Sequence, residues 1–296
     1  MASPMFLLMP EWQGSESSRA MQLTDGAALL REDLPASAMR EIAVPLEAGD
    51  AMGTPVARLS SLIRARDAAR TELAPVVREG RPAIILGGDC ATSLPGLEAA
   101  AMAHDRLAVL WFDAHADLQH PSTSPSGAAS GMTLRHALGD GSPDLSARRS
   151  VDAAQVTLVG ARALDPEEVT EIRERGIAVL PEAGSAENDA EALGRAIRQR
   201  IAGADALYVH LDLDVLDPSE FASVHSPVPF GITIAELTHA LRVAVEAVPL
   251  VGAAICEFAP ASEQTAADDL PTVLRILAAL TSGAQPGSGS TAGAAA

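Results

Sequence analysis

The chain predicts a single-domain α/β fold: a three-layer α/β/α sandwich around a mainly parallel sheet. Three observations carry that expectation. Short apolar runs alternate with longer Ala/Arg/Glu-rich stretches, the pattern of strand–helix repeats. The runs are nearly all apolar rather than alternating, which calls for cover on both sheet faces. The 296 residues suit one large domain or two smaller ones, and an apolar share of 48% is enough for a sizeable core.

In chain order, "MFLLM" (5–9) reads as a first buried strand, and 56–79 as a helix. "AIIL" (83–86) and "LAVLWF" (107–112) follow as strands, the second running into a polar loop, "QHPSTSPSGAASG" (119–131), of the kind that carries function. "VTLVG" (156–160), a helix over 166–175, "IAVL" (177–180) and a helix over 189–202 continue the alternation. "ALYVHL" (206–211), a helix over 234–247 and "VGAAIC" (251–256) complete it. The domain spans 1–282, and the Gly/Ser/Ala-rich tail 283–296 is expected to be disordered.

Composition excludes several functions. A formal net charge of −18, with only 3% aromatic residues, opposes binding to nucleic acid, which needs basic patches and stacking platforms. The same charge opposes anionic membrane surfaces. All 21 basic residues are arginines, so neither a Schiff-base lysine nor a Walker-type lysine is available. The apolar run at 5–9 is too short for a signal peptide or a membrane span, and no basic segment precedes it. A soluble cytoplasmic protein is expected, with homo-oligomerisation left open. The two cysteines, Cys90 and Cys256, both end apolar runs and do not suggest a disulfide scaffold.

The chemistry lies at the ends of the strands. In "LAVLWFDAHADLQHP", Asp113, His115 and Asp117 follow the strand at i, i+2 and i+4, so extended geometry would turn all three to one side. In "ALYVHLDLDVLDP", Asp212 and Asp214 follow another strand at i, i+2. Ligands gather at the carboxyl ends of parallel strands. Four converging aspartates repel one another unless cations neutralise them, and two divalent ions would do so. Cys90 ends a third strand after Gly87 and Gly88, which permit a tight turn, and could be core filler, nucleophile or thiolate ligand. Glu257 follows a fourth strand, where it could hold a cationic substrate.

Four ordered motifs, "GGDC", "DAHAD", "DLDVLDP" and "EFAP", make the chain resemble the ureohydrolase family of arginases, agmatinases and formiminoglutamases over about its first 280 positions. The resemblance implies a guanidino substrate and two Mn²⁺ ions at the sheet edge. It implies that Asp113 and Asp212 bridge the ions, that Asp117 and Cys90 complete one shell, and that His115 and Asp214 complete the other. Asp117 and Glu257 become the catalytic pair, Glu257 also binding the guanidine group. "VGARALDPEE" resembles the segment that holds the substrate's α-amino group, which brings in Asp165 and Glu168.

Two departures from the family pattern bear on the substrate. Cys90 stands where the family usually has histidine, and Ser130 stands where arginases carry a proton-shuttling histidine. The positions of the arginase asparagines that hold the α-carboxylate carry Gln119 and Ala128. The pattern is similar to the branch that hydrolyses N-hydroxy-L-arginine to hydroxyurea and L-ornithine. Four aspartates and a thiolate would give −5 against +4, which weakens Lewis acidity; a less basic N-hydroxyguanidine tolerates that. The thiolate also admits Zn²⁺ or Co²⁺. His120, His136 and His225 are the spare histidines. The alternatives are an agmatinase, arginase-type or guanidino-acid hydrolase that releases urea, and a metal-binding pseudoenzyme or regulatory partner.

Overall fold

Strand β4 (Leu107–Phe112) shows why this sequence makes three layers. Its side chains alternate, Leu110 and Phe112 facing one apolar cluster while Val109 and Trp111 face another, and all are buried. A strand with two apolar faces needs helices on both sides. In the computed structural model, which describes residues 2–180 and 190–284, both faces are covered. Helices α1 (Gln22–Glu32), α6 (Ala190–Arg200), α7 (Ile234–Ala247) and α8 (Glu263–Thr281) supply apolar side chains to the first cluster. Helices α2 (Leu59–Arg78), α3 (Ser93–Ala103) and α4 (Thr133–Ala137) cover the other face, and Ile172 of α5 (Pro166–Arg175) packs there too.

The remaining strands are β1 (Met5–Leu8), β2 (Met39–Glu41), β3 (Ala83–Leu86), β5 (Val156–Val159), β6 (Ala178–Leu180), β7 (Ala206–Asp212) and β8 (Leu250–Cys256). They form one sheet in the order β2-β1-β3-β8-β7-β4-β5-β6, and every pairing is parallel. The seven apolar runs are all strands within one residue of the expected bounds. Strand β2 left no such signal: "MRE" is three residues long, partly exposed and at the sheet edge, so it needs no apolar run.

The order decides where the chemistry falls. The four strands that carry the motifs, β3, β8, β7 and β4, are consecutive and central. Leu86 pairs with Ile255, Ile255 with Leu211, and Leu211 with Phe112, so their carboxyl ends are level. After β3 the chain turns through Gly87 and Gly88, both at positive φ. A side chain at Gly88 would meet the carbonyl oxygens of Met9 and Glu11 at 2.8 Å, so the turn presenting Cys90 requires glycine there. Among the described residues no helix is long and apolar enough to cross a membrane. The tail expected from 283 lies outside the described residues from 285 onward; its first two residues close a short 3-10 turn, Ser282–Ala284.

Candidate metal centre and substrate cavity

The aspartate rows converge by turns rather than by extended alternation. Strand β4 stops at Phe112, and the backbone N–H of His115 folds back to Asp113 Oδ1 at 2.6 Å. Asp117 then sits at φ 53°, in the left-handed region that costs a non-glycine residue roughly 1–3 kcal/mol. The second row turns likewise, the N–H of Asp214 donating to Asp212 Oδ1 at 2.7 Å within the 3-10 turn Leu213–Val215. The extended geometry expected for Asp113, His115 and Asp117 is therefore corrected. A short polar side chain that takes its own downstream N–H bends the chain, and the bend aims the next donor inward.

These turns gather Cys90, Asp113, His115, Asp117, Asp212 and Asp214 at one edge of the sheet. Cys90 Sγ lies 3.0 Å from Asp212 Oδ2, and His115 Nδ1 lies 3.0 Å from Asp214 Oδ2 and 3.4 Å from Asp113 Oδ1. Ligand atoms of Cys90, Asp113, Asp117 and His210 lie within 4.8 Å of one another, as do those of Asp113, His115 and Asp214, and those of Cys90, Asp212 and Glu257. The first two groups share Asp113, as adjacent two-ion sites require.

Electrostatics shows what the cluster lacks. Burial and neighbouring carboxylates push Asp117, Asp212, Asp214 and Glu257 above the usual carboxylate range. Burial alone would disfavour a charged His115, but its bonds with Asp113 and Asp214 push it up to about 12. Burial also opposes the charge on Asp113, yet His115 and His210 hold it low. One imidazolium against five buried carboxylates leaves a large deficit of positive charge. Asp117 Oδ2 is buried with no hydrogen-bond partner among the described residues. The Cys90 thiol is pushed up by its contact with Cys256, by burial and by Asp212, so only a cation would make it a ligand. The donor set fits two divalent ions.

Above the cluster opens a cavity of about 800 Å³. Cys90, His115, Asp117, Asp212, Asp214 and Glu257 form its floor, and Gln119, Ser130, Asp165 and Glu168 join its wall. Gln119 Nε2 donates to Asp165 Oδ2 at 2.9 Å, tying two of the expected substrate contacts to each other. Glu168 accepts the backbone N–H groups of Leu118 and Asp165, both at 3.0 Å, so its two oxygens hold the wall together. Ala128 also lines the cavity and offers no polar side chain. Arg162 reaches the wall, but its guanidinium donates to backbone carbonyls, including those of Gly160, Asp214 and Val228.

Sequence reasoning missed three features. His210 stacks on Trp111 with ring centroids 3.6 Å apart and has Nε2 3.6 Å from Asp113 Oδ2; in "ALYVHL" it read only as part of a strand. Asp89, inside "GGDC", accepts the N–H groups of Gly14 at 2.8 Å and Ala91 at 2.9 Å, fixing the Cys90 turn to the segment after β1. That segment, Ser15 to Arg19, lines the cavity and carried no motif.

The spare histidines separate cleanly. His120 bonds to Ser122 Oγ at 2.7 Å in the 119–131 loop. His225 lines the cavity. His136 is buried on α4, away from the cavity, with Nε2 unpartnered among the described residues and beside a small void lined also by Glu11 and Arg66. Burial lowers His136 from the ordinary value to about 4. Only the unfolded chain then takes up this proton between roughly pH 6.5 and 4, so stability from this group is full above 6.5 and lost as pH falls. Metal-free protein is expected to lose on the order of 3 kcal/mol more stability between pH 7 and 4 than its His136→Gln variant, the size implied by a fall from 6.5 to about 4. Urea unfolding of both proteins across that range checks it; parallel curves would refute the assignment.

With the geometry in place, comparison with known proteins decides the family. The sequence profile described as the arginase family matches residues 14–280. The chain belongs to the arginase family. It is a hydrolase of C–N bonds in amidines and guanidines. It is 34% identical to an arginase of Bacillus caldovelox over 68% of this chain and 69% of that one. It is 28% identical to the N(omega)-hydroxy-L-arginine amidinohydrolase of Streptomyces lavendulae over 90% of this chain and 94% of that one. Among solved structures, the Bacillus caldovelox arginase superposes with a TM-score of 0.81 at 26% identity, covering 94% of this chain and 97% of that one. The three-layer fold with its parallel sheet is thus an arginase fold.

Proposed function

We propose that this arginase-family hydrolase binds two divalent ions and cleaves N-hydroxy-L-arginine to hydroxyurea and L-ornithine. The observation that carries the reading is the Cys90 thiol beside Asp212 on a cavity floor whose wall has Ser130 and no imidazole at that point. Similarity to the Streptomyces lavendulae amidinohydrolase along nine-tenths of the chain supports it.

On this reading Cys90, Asp113, His115, Asp117, Asp212 and Asp214 would hold the two ions between them. Mn²⁺ is the family's expected ion, with Zn²⁺ or Co²⁺ favoured further by the thiolate. When bound, the ions supply Lewis-acid polarisation and lower the pKa of water. The chain's own residues do the rest. Glu257, held at φ 63° with its N–H on the Gly88 carbonyl, accepts the substrate's N–H groups. Asp117, whose Oδ2 has no hydrogen-bond partner among the described residues, would take the proton that the attacking water gives up. Asp165, oriented by Gln119, faces the α-amino end. The C–N bond to the side-chain nitrogen breaks, a C–O bond forms from water, and the departing amine of ornithine receives the proton.

One observation favours a second reading, an agmatinase-type enzyme releasing urea. Ala128 has no donor for an α-carboxylate, and the Gln119 amide nitrogen is already bonded to Asp165. A panel of N-hydroxy-L-arginine, L-arginine, agmatine and guanidino acids, with urea and hydroxyurea both assayed on Mn²⁺-loaded protein, separates the two. Metal analysis of the same sample is expected to give two ions per chain, and a stoichiometry near zero would remove the reading altogether.

A further inference from the structure

We propose that His225 is a specificity-determining residue whose Nδ1 accepts the hydroxyl hydrogen of an N-hydroxyguanidine held by Glu257. The inference rests on the function proposed above and assigns the part of the site that would read the hydroxyl group.

The His225 side chain is 4% exposed, and the residue lines the same cavity as Glu257. Its Nε2 faces Gln22 Oε1 on α1 at 3.3 Å. The partner atom is a carbonyl oxygen, which a ring nitrogen meets only as donor; in the tautomer that makes this bond, Nε2 carries the hydrogen and Nδ1 presents a bare lone pair. Nδ1 is buried without a hydrogen-bond partner among the described residues, and Glu257 Oε2 stands 3.6 Å away, beyond hydrogen-bond range. Burial and the Arg19 guanidinium lower the imidazole from its ordinary value, against the pull of the Arg19 backbone and Asp89.

Once a guanidine N–H fork holds Glu257 ionised, two acceptors face one another across a short gap on the cavity wall. Such a pair is unfavourable until a donor enters between or beside them. A plain guanidine offers its N–H fork, which the two oxygens of Glu257 match. An N-hydroxyguanidine offers one donor more, the O–H, carried one bond beyond the nitrogen. Nδ1 is the acceptor left over for it. Sites that pair with a substrate hydroxyl reject analogues without it more strongly than apolar pockets can, because the site's polar atom is otherwise left unmatched.

The test uses Mn²⁺-loaded wild type, His225→Phe and His225→Asn, with N-hydroxy-L-arginine and L-arginine as the probes. Dissociation constants from calorimetry, kcat/KM and metal content are all measured. The wild type is expected to prefer the hydroxylated ligand. His225→Phe, which fills the space without an acceptor, should lose at least about tenfold of that preference at unchanged metal content. His225→Asn, whose amide oxygen stands near the place of Nδ1, should recover part of it. If both ligands weaken in parallel and the ratio is unchanged, or if the metals are lost, His225 is only a structural neighbour of Glu257 and the inference falls. If the wild type turns over neither compound but the binding ratio collapses in His225→Phe and returns in His225→Asn, the inference stands and the proposed reaction fails. A wild type that prefers L-arginine overturns both.

Discussion

Replacing Glu257 by glutamine is expected to lower kcat/KM by about 10²-fold or more while two divalent ions stay bound, a loss in the range that positioning accounts for. The substitution preserves shape and turns one acceptor oxygen into a donor. A guanidine N–H would then meet an N–H, so the group is misplaced over the metals. Metal analysis is part of this experiment, because Glu257 also lies within 4.8 Å of Cys90 and Asp212 donor atoms. Retained metal with collapsed turnover supports substrate binding. Parallel loss of both would make Glu257 a ligand.

Cys90 gives the other large effect. Cys90→Ser puts a neutral hydroxyl beside Asp212, and affinity is expected to fall mainly at one of the two sites. Disturbing groups that merely support a ligand costs 10–100-fold, so losing the ligand should cost at least about 100-fold. Cys90→His should keep two ions, since imidazole suits the same metals, and should not become an efficient arginase because Ser130 still supplies no imidazole. The native protein should take up Zn²⁺ or Co²⁺ in place of Mn²⁺ more readily than Cys90→His. Competition titrations measure this, and alkylation followed by peptide mapping gives an independent check. Metal should protect Cys90, and equal labelling of folded apo and loaded protein would show that the thiol binds nothing.

The residues behind both predictions were legible in the sequence for a physical reason. Apolar runs such as "AIIL" and "LAVLWF", too short for a helix and rich in β-branched or aromatic residues, read as buried strands, and polar side chains directly after them lie at a strand end. Periodicity could not reveal how Asp117 reaches the others, because the left-handed bend at φ 53° follows from local hydrogen bonds rather than from hydrophobic pattern. Nor could it find the partners of the motif residues. His225 and Glu257 are 32 positions apart, and Gly14 and Asp89 are 75 apart. Such contacts are set by how strands and loops are arranged at one edge, which strand composition does not encode. Strand β2 shows the opposite limit: half-exposed edge residues carry too little apolar signal to announce a strand.

The sheet order has a consequence for how the protein comes into being. Strands β3 and β4 are made early, yet they end up three strand spacings apart, about 14 Å, with β8 and β7 between them. A nascent chain that ends before residue 206 holds Cys90, Asp113, His115 and Asp117 but cannot place them correctly, because the two late strands set the distance between them. Until those strands insert, β3 and β4 each expose an unpaired apolar edge, a hazard for mispairing and aggregation. Such long-range pairing is slow. The centre can therefore close only after about residue 257 has emerged, which makes cation capture a late event in folding and gives an arriving ion the power to hold the finished fold by mass action.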